Sequence, residues 1–163
     1  MKTKILSLLI SLSLLACGER ENKPANVRST LSRAEALMTQ APDSALMLLE
    51  DLSKGALRGR ENRAHFALLY SQALDKNYID RSNDSIIRVA VDYYAPRKDN
   101  NRKMLSYYYL GRVQYNAKEY QKAIVSLMRA EEAAKLSRDN FYLGLIYRSM
   151  SEIHCDIYSF TEA

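Results

Sequence analysis

Few residues in this chain of 163 have the types that do chemistry. The two histidines are His65 and His154, separated by 154 − 65 = 89 positions, and Cys155 follows the second. Neighbouring residues on a helix point about 100° apart, so His154 and Cys155 do not converge on one metal ion. Cys155 reads as a small helical filler and His65, just before Phe66, as a surface or rim residue. Glu131 and Glu132 are consecutive acids expected on the solvated side of a helix. No glycine-rich phosphate loop, GxSxG elbow or HExxH zinc signature occurs in the sequence. The expectation is a protein without catalysis, cofactor or metal.

The elements around these residues read as helices throughout. Apolar content is 47%, and there are five Gly, three Pro and twelve Tyr with no Trp. Apolar positions Val27, Leu31, Ala34, Leu37 and Met38 follow helical spacing. Pro42 with Asp43 suits a helix start, and Ala45, Leu46, Leu48, Leu49 and Leu52 form its inner side, with Gly55 and Gly59 in the loop beyond. Arg63–Asp75 carries Phe66, Ala67, Tyr70, Ala73 and Leu74 on one face. Asp84–Tyr94 carries Ile86, Ile87, Ala90, Val91 and Tyr94, and Pro96 stops it. A third pair runs from Arg102 to Ser137. A seventh helix is expected after the N-cap Asp139, to about Cys155.

The stretch from Tyr107 to Arg129 specifies most. Gly111 and Ala123 remove bulk where two antiparallel helices approach, and Tyr107, Leu110 and Leu127 fill the space beside them. The Asn116–Glu119 connection returns the second helix along the first. Small residues recur at 71, 111 and 151, each after a bulky one, and Tyr147, Phe160 and Ala163 lie 40 beyond Tyr107, Tyr120 and Ala123. Phe160 should therefore open a further helix, leaving Leu145, Ile146, Met150 or Ile153 exposed on some side, as in a truncated chain or one needing a partner there. On a helix Tyr107, Tyr108 and Tyr109 span about 200°. Tyr107 is expected inside, Tyr109 near the back of the hairpin and Tyr108 on the inner side.

This pattern resembles the tetratricopeptide repeat, with Gln114 in place of the usual aromatic and Lys135 where a proline often closes the unit. That family's period is about 34 residues, so these units carry extra length. The resemblance implies an all-α, right-handed α-solenoid of about 3.5 antiparallel helix hairpins. It also implies a ligand groove lined by first helices. By position that line holds Tyr108, Arg112, Tyr115 and Asn116, then Arg148, Glu152, Cys155 and Asp156 one repeat later, and Gln72 and Asp75 one repeat earlier.

The beginning of the chain reads differently. Lys2 and Lys4 precede Ile5–Ala16, an apolar run too short for a spanning helix, which needs about 20 residues, but proportioned as a secretory leader. Leu14-Leu15-Ala16-Cys17 resembles a bacterial lipobox. It implies cleavage before Cys17, acylation of its thiol with diacylglycerol and palmitate-type chains, and anchoring outside the cytoplasm, at the periplasmic face or cell surface. Residues 1–16 are then signal peptide, 17–26 a polar tether and 27–163 the helical repeat domain. Formal charge is +5 with the leader; removing its two lysines leaves 24 − 2 = 22 Lys and Arg against 19 acids, or +3. These charges are interspersed, which with export argues against nucleic acid as partner. Pro42–Leu46 and Ala73–Tyr78 are similar to stretches of bacterial tetratricopeptide lipoproteins. The resemblance implies binding of another protein or peptide, or alternatively the sensing half, or a remnant, of a repeat-containing signalling or transcriptional regulator.

Overall fold

The computed structural model describes residues 27–52 and 57–161. The expected leader, Cys17, the tether, Gly55 and Ala163 lie outside the described residues, as does the side chain of Phe160. Seven helices follow in order among the described residues: α1 (Val27–Leu37), α2 (Pro42–Glu50), α3 (Arg60–Lys76), α4 (Ser85–Tyr94), α5 (Asn100–Asn116), α6 (Tyr120–Ser137) and α7 (Asn140–Thr161). No strand occurs among the described residues, so the fold there is all-α. None of these helices is long and apolar enough to cross a membrane.

Local chemistry sets most boundaries. Pro42 occupies the first turn of α2, where its missing N–H costs nothing. The Asp99 carboxylate accepts from the Arg102 N–H at 3.0 Å and that of Asp139 from the Tyr142 N–H at 3.0 Å, capping α5 and α7. Helices α3, α5 and α6 end on residues in the left-handed region, Tyr78 (φ 57°), Lys118 (φ 60°) and Arg138 (φ 58°). The Ile79 N–H returns to the Leu74 carbonyl at 2.9 Å and the Glu119 N–H to that of Gln114 at 2.9 Å. These are Schellman closures that satisfy otherwise orphaned carbonyls. Tyr78 and Lys118 are 118 − 78 = 40 residues apart, the same interval as the recurring small residues.

A left-handed conformation costs an L-residue roughly 1–2 kcal/mol, against about 0.5–1 kcal/mol of extra chain entropy that glycine loses on folding. Lys118→Gly at this exposed site is therefore expected to stabilise the fold by about 0.5–1 kcal/mol, read from the urea midpoint. A lower midpoint would contradict the closure.

Each helix packs on the next, and α1 on α3, α3 on α5 and α5 on α7 as well. Helix α3 contributes Leu69, Ala73 and Leu74 to a core with α1 and α2, and Ala64, Ala67 and Leu68 to a second core with α4–α7. It is buried on two sides rather than on the single face expected, because it lies between both cores. Glu35 of α1, His65 of α3 and Arg102 of α5 meet across these helices. The His65 Nε2 lies 3.2 Å and the Arg102 Nη2 3.7 Å from the Glu35 carboxylate. The His65 contact, with the Arg102 charge beside it, holds the Glu35 carboxyl below its ordinary range against the opposing effect of burial. The His65 side chain is mostly enclosed, not a rim residue.

The α5–α6 pair meets where Gly111 faces Ala123 and Leu127. A Cβ on Gly111 would lie 2.8 Å from the Leu127 Cγ and 3.4 Å from the Ala123 carbonyl oxygen. Nearby the buried Gln114 Oε1 accepts from the Ser126 hydroxyl at 2.7 Å, a polar clasp between α5 and α6.

Several expectations are corrected. Tyr109, not Tyr107, is innermost: it is 2% exposed and its hydroxyl shares a 3.0 Å hydrogen bond with that of Tyr142 on α7. Tyr107 is half-buried with the Arg129 guanidinium over its ring. The packing of α7 against α5 puts Tyr109 at the centre. Ile86 is largely exposed because α4 turns Ile87 and Ala90 inward. Ile146 and Ile153 are fully buried against α5 and α6; among the described side chains of α7 the exposed large apolar ones are Phe141, Tyr147 and Tyr158. Helix α7 also continues through Thr161, where a new helix was expected to open near Phe160. Extending the i→i+4 ladder satisfies carbonyls that a turn would have to cap. Glu131 is not simply solvated: it takes the Lys135 ammonium at 2.6 Å and the Tyr147 hydroxyl at 2.7 Å, joining α6 to α7.

Candidate functional site

A polar hollow of about 420 Å3 lies where α3, α5 and α7 run beside one another below the α1–α2 turn. The packing of α5 between α3 and α7 points Tyr108 and Arg112 toward it, one helical turn apart. Helix α3 supplies Asp75 and Lys76, and α7 supplies Leu145, Arg148, Ser149 and Glu152. Thr39 and Pro42 close one end, and Tyr78 stands at the mouth.

A chain of charges crosses the floor. The Arg112 Nε donates to the Asp75 Oδ1 at 2.9 Å, and its Nη1 lies 3.6 Å from the Glu152 Oε2. The Glu152 Oε1 in turn accepts from the Arg148 Nε at 2.9 Å. One guanidinium thus ties α3 to α7 through α5. Burial pulls the Arg112 guanidinium down, but the hydrogen bond and charge of Asp75 outweigh it, so Arg112 is fixed as a cation. Tyr108 packs edge-on to Tyr109 and Tyr142, at ring distances of 5.0 and 5.5 Å. Burial raises its pKa, keeping the phenol neutral at ordinary pH. The lining carries Lys76, Arg112 and Arg148 against Asp75 and Glu152, a formal balance of 3 − 2 = +1. Lys76 and Arg148 stand at the rim, and Arg148 is 74% exposed.

Five of the ten residues on the expected groove line meet here: Asp75, Tyr108, Arg112, Arg148 and Glu152. The other five sit elsewhere. Gln72 is 8% exposed and its Nε2 donates to the Tyr142 hydroxyl at 3.0 Å, packed under the helices rather than in the hollow. The Tyr115 hydroxyl donates to Asp156 at 2.8 Å, fastening α5 to α7, and that bond pushes its pKa up to about 12. The Asn116 Nδ2 donates to Asp80 at 3.2 Å beside a different cavity. Cys155 is exposed on α7 and does not line the hollow.

Leu145 and Ser149 complete the i, i+3, i+4, i+7 stripe of Arg148 and Glu152, a spacing legible in the sequence. Thr39 and Tyr78 come from turns and Pro42 from the first residue of α2, and they carry no such periodicity. Ser149 has no histidine among the residues around it in the hollow. Among the described residues no three of His, Cys, Asp and Glu cluster as metal ligands. What the hollow offers is two rim cations, the phenols of Tyr108 and Tyr78 and an ion-paired floor. No protein-family model, curated protein or solved structure matches this chain.

Proposed function

We propose that this protein is a lipid-anchored scaffold of the tetratricopeptide type, without catalysis, which holds a segment of another protein in the α3–α5–α7 hollow outside the cytoplasm. The observation that carries this reading is the Asp75–Arg112–Glu152–Arg148 chain. It draws residues from three alternate helices to one surface and leaves cations at the rim. Tyrosine and arginine are the commonest anchors of protein interfaces. The successive packing of α1, α3, α5 and α7, with closures at Tyr78 and Lys118 forty residues apart, supports stacking of the helix hairpins. The lipobox-like Leu14–Cys17 supports the anchor and compartment.

Two measurements test this reading. Radioactive palmitate should label the wild-type protein in a bacterial host and not Cys17→Ser; equal labelling of both removes the anchor. Lipidated protein used as bait on membranes should retain a discrete partner through a Lys76→Glu/Arg148→Glu-sensitive contact, with retention falling roughly ten-fold, the scale of removing interfacial charge pairs. Unchanged retention by that double variant contradicts the groove.

A further inference from the structure

A second cavity, about 310 Å3, lies behind the groove between α3, the 77–84 connection, the start of α4 and α5. The Asp75–Arg112 pair forms the wall the two hollows share. The geometry points to a small-molecule site in this cavity for an amphipathic monocarboxylate of about ten non-hydrogen atoms. This inference does not rest on the protein-binding reading of the groove.

Size comes first. A volume of 310 Å3 falls at the lower end of ligand pockets. At about 30 Å3 per water-sized group it holds on the order of ten atoms. The body of the ligand must be apolar: Leu74, Ile87, Val113 and the rings of Tyr70 and Tyr109 wall the interior. Ile79 and Ile86 flank the opening at 40% and 41% exposure, apolar surface that an occupant would remove from water.

The sign of the head group follows from the charges around the mouth. Every carboxylate there already has a partner: Asp75 holds Arg112, Asp80 accepts from Asn116, and Asp84 holds Arg88 at 2.7 Å. Arg81 lines the cavity and, among the described residues, has no carboxylate within ion-pair reach. Asn83 and Ser85, beside it at the start of α4, add polar groups to the same rim. A cationic ligand would meet Arg81 with its own sign, and a neutral one would leave it unmatched. A carboxylate gains a charge-assisted hydrogen bond there.

Calorimetric titration with octanoate, octanol, octylamine and acetate tests this in the full-length protein. Octanoate should bind one per chain with a dissociation constant on the order of 1 mM or below, as expected of so small a ligand. Octanol should bind roughly five-fold more weakly, and acetate and octylamine below detection. Arg81→Gln should weaken octanoate roughly five-fold and leave octanol unchanged; Ile86→Ser should weaken both. Both side chains are exposed, so the far-ultraviolet circular dichroism should not change, and neither variant touches Asp75 or Arg112. Absence of octanoate binding, equal binding of octanol, or octanoate binding indifferent to both substitutions overturns the site.

Discussion

Gly111→Val is expected to lower the unfolding free energy by about 3 kcal/mol or more, while Gly144→Ala raises it by about 1 kcal/mol. Both glycines lie inside helices, where glycine costs about 1 kcal/mol relative to alanine. Propensity alone would make any replacement favourable at either site. Packing decides otherwise at Gly111. Even a bare Cβ there comes within 2.8 Å of the Leu127 Cγ. Leu127 is fully buried, and the near atom is its branch point rather than a free end. Relief needs α6 to move away from α5, and overpacking of this kind costs about 1–3 kcal/mol and sometimes more. Valine adds two methyls to that clash. A Cβ on Gly144 meets nothing within 4 Å, so only the propensity gain remains. Urea unfolding of the two variants reads the contrast; a stabilised Gly111→Val would mean that α5 and α6 do not approach as described.

Raising the pH from 10 to 12 should unfold the protein. Burial pushes Tyr94 up to about 12, and the Asp156 hydrogen bond does the same for Tyr115. Tyr109 is raised well above 10 by burial, and Tyr108 and Tyr142 are raised by the same cause. Tyrosine in an unfolded chain ionises near pH 10. A raised folded pKa in such an acid means that stability is fully present below about 10 and is lost as pH climbs through the folded value. A shift of two units corresponds to about 2.7 kcal/mol. Tyr94 is nearly fully buried and should contribute on that scale, whereas partly exposed Tyr115 contributes much less. The Tyr94 hydroxyl is also buried without a hydrogen-bond partner. Tyr94→Phe should therefore be neutral or stabilising at pH 7, and should move the alkaline midpoint upward. If all twelve tyrosines ionise near pH 10 while the helical signal persists, the buried aromatic centre is wrong.

The parts of the fold that short-range chemistry governs are legible in the sequence. Pro42, Asp139 and the Gly111–Ala123 pair act over one turn or one hairpin, and each lies where residue type and spacing place it. Rotation of α7 about its axis is not legible. Its apolar residues Leu145, Ile146, Met150 and Ile153 fit helical spacing, but which side faces α5 depends on Tyr142 reaching Tyr109, a contact 142 − 109 = 33 residues away. The Glu35–His65–Arg102 meeting likewise joins three helices and has no local signature. The helix ends expected at Asp75, Asn116 and Ser137 lie within one residue of those observed, although the left-handed residues that close them, Tyr78, Lys118 and Arg138, are not glycine.

The groove divides along the same line. Asp75, Tyr108, Arg112, Arg148 and Glu152 share one side of the alternate helices, so a fixed interval finds them. Gln72, Tyr115 and Asn116 occupy the same line by position. Each is drawn off by a specific hydrogen bond, to Tyr142, Asp156 and Asp80 in turn, that no interval encodes. The Arg81 cavity depends on the path of the 77–84 connection, which is polar and has no period.

Site-specific photo-cross-linking in cells tests the proposed role most directly. A benzophenone side chain would replace Arg148, on the rim of the groove, and in a second strain Val125, half exposed on the far side of α6. The groove account predicts a discrete cross-linked protein at position 148, diminished by Lys76→Glu, and none at position 125. Equal products from both positions, or none at 148 while the lipidated protein accumulates normally, would contradict it.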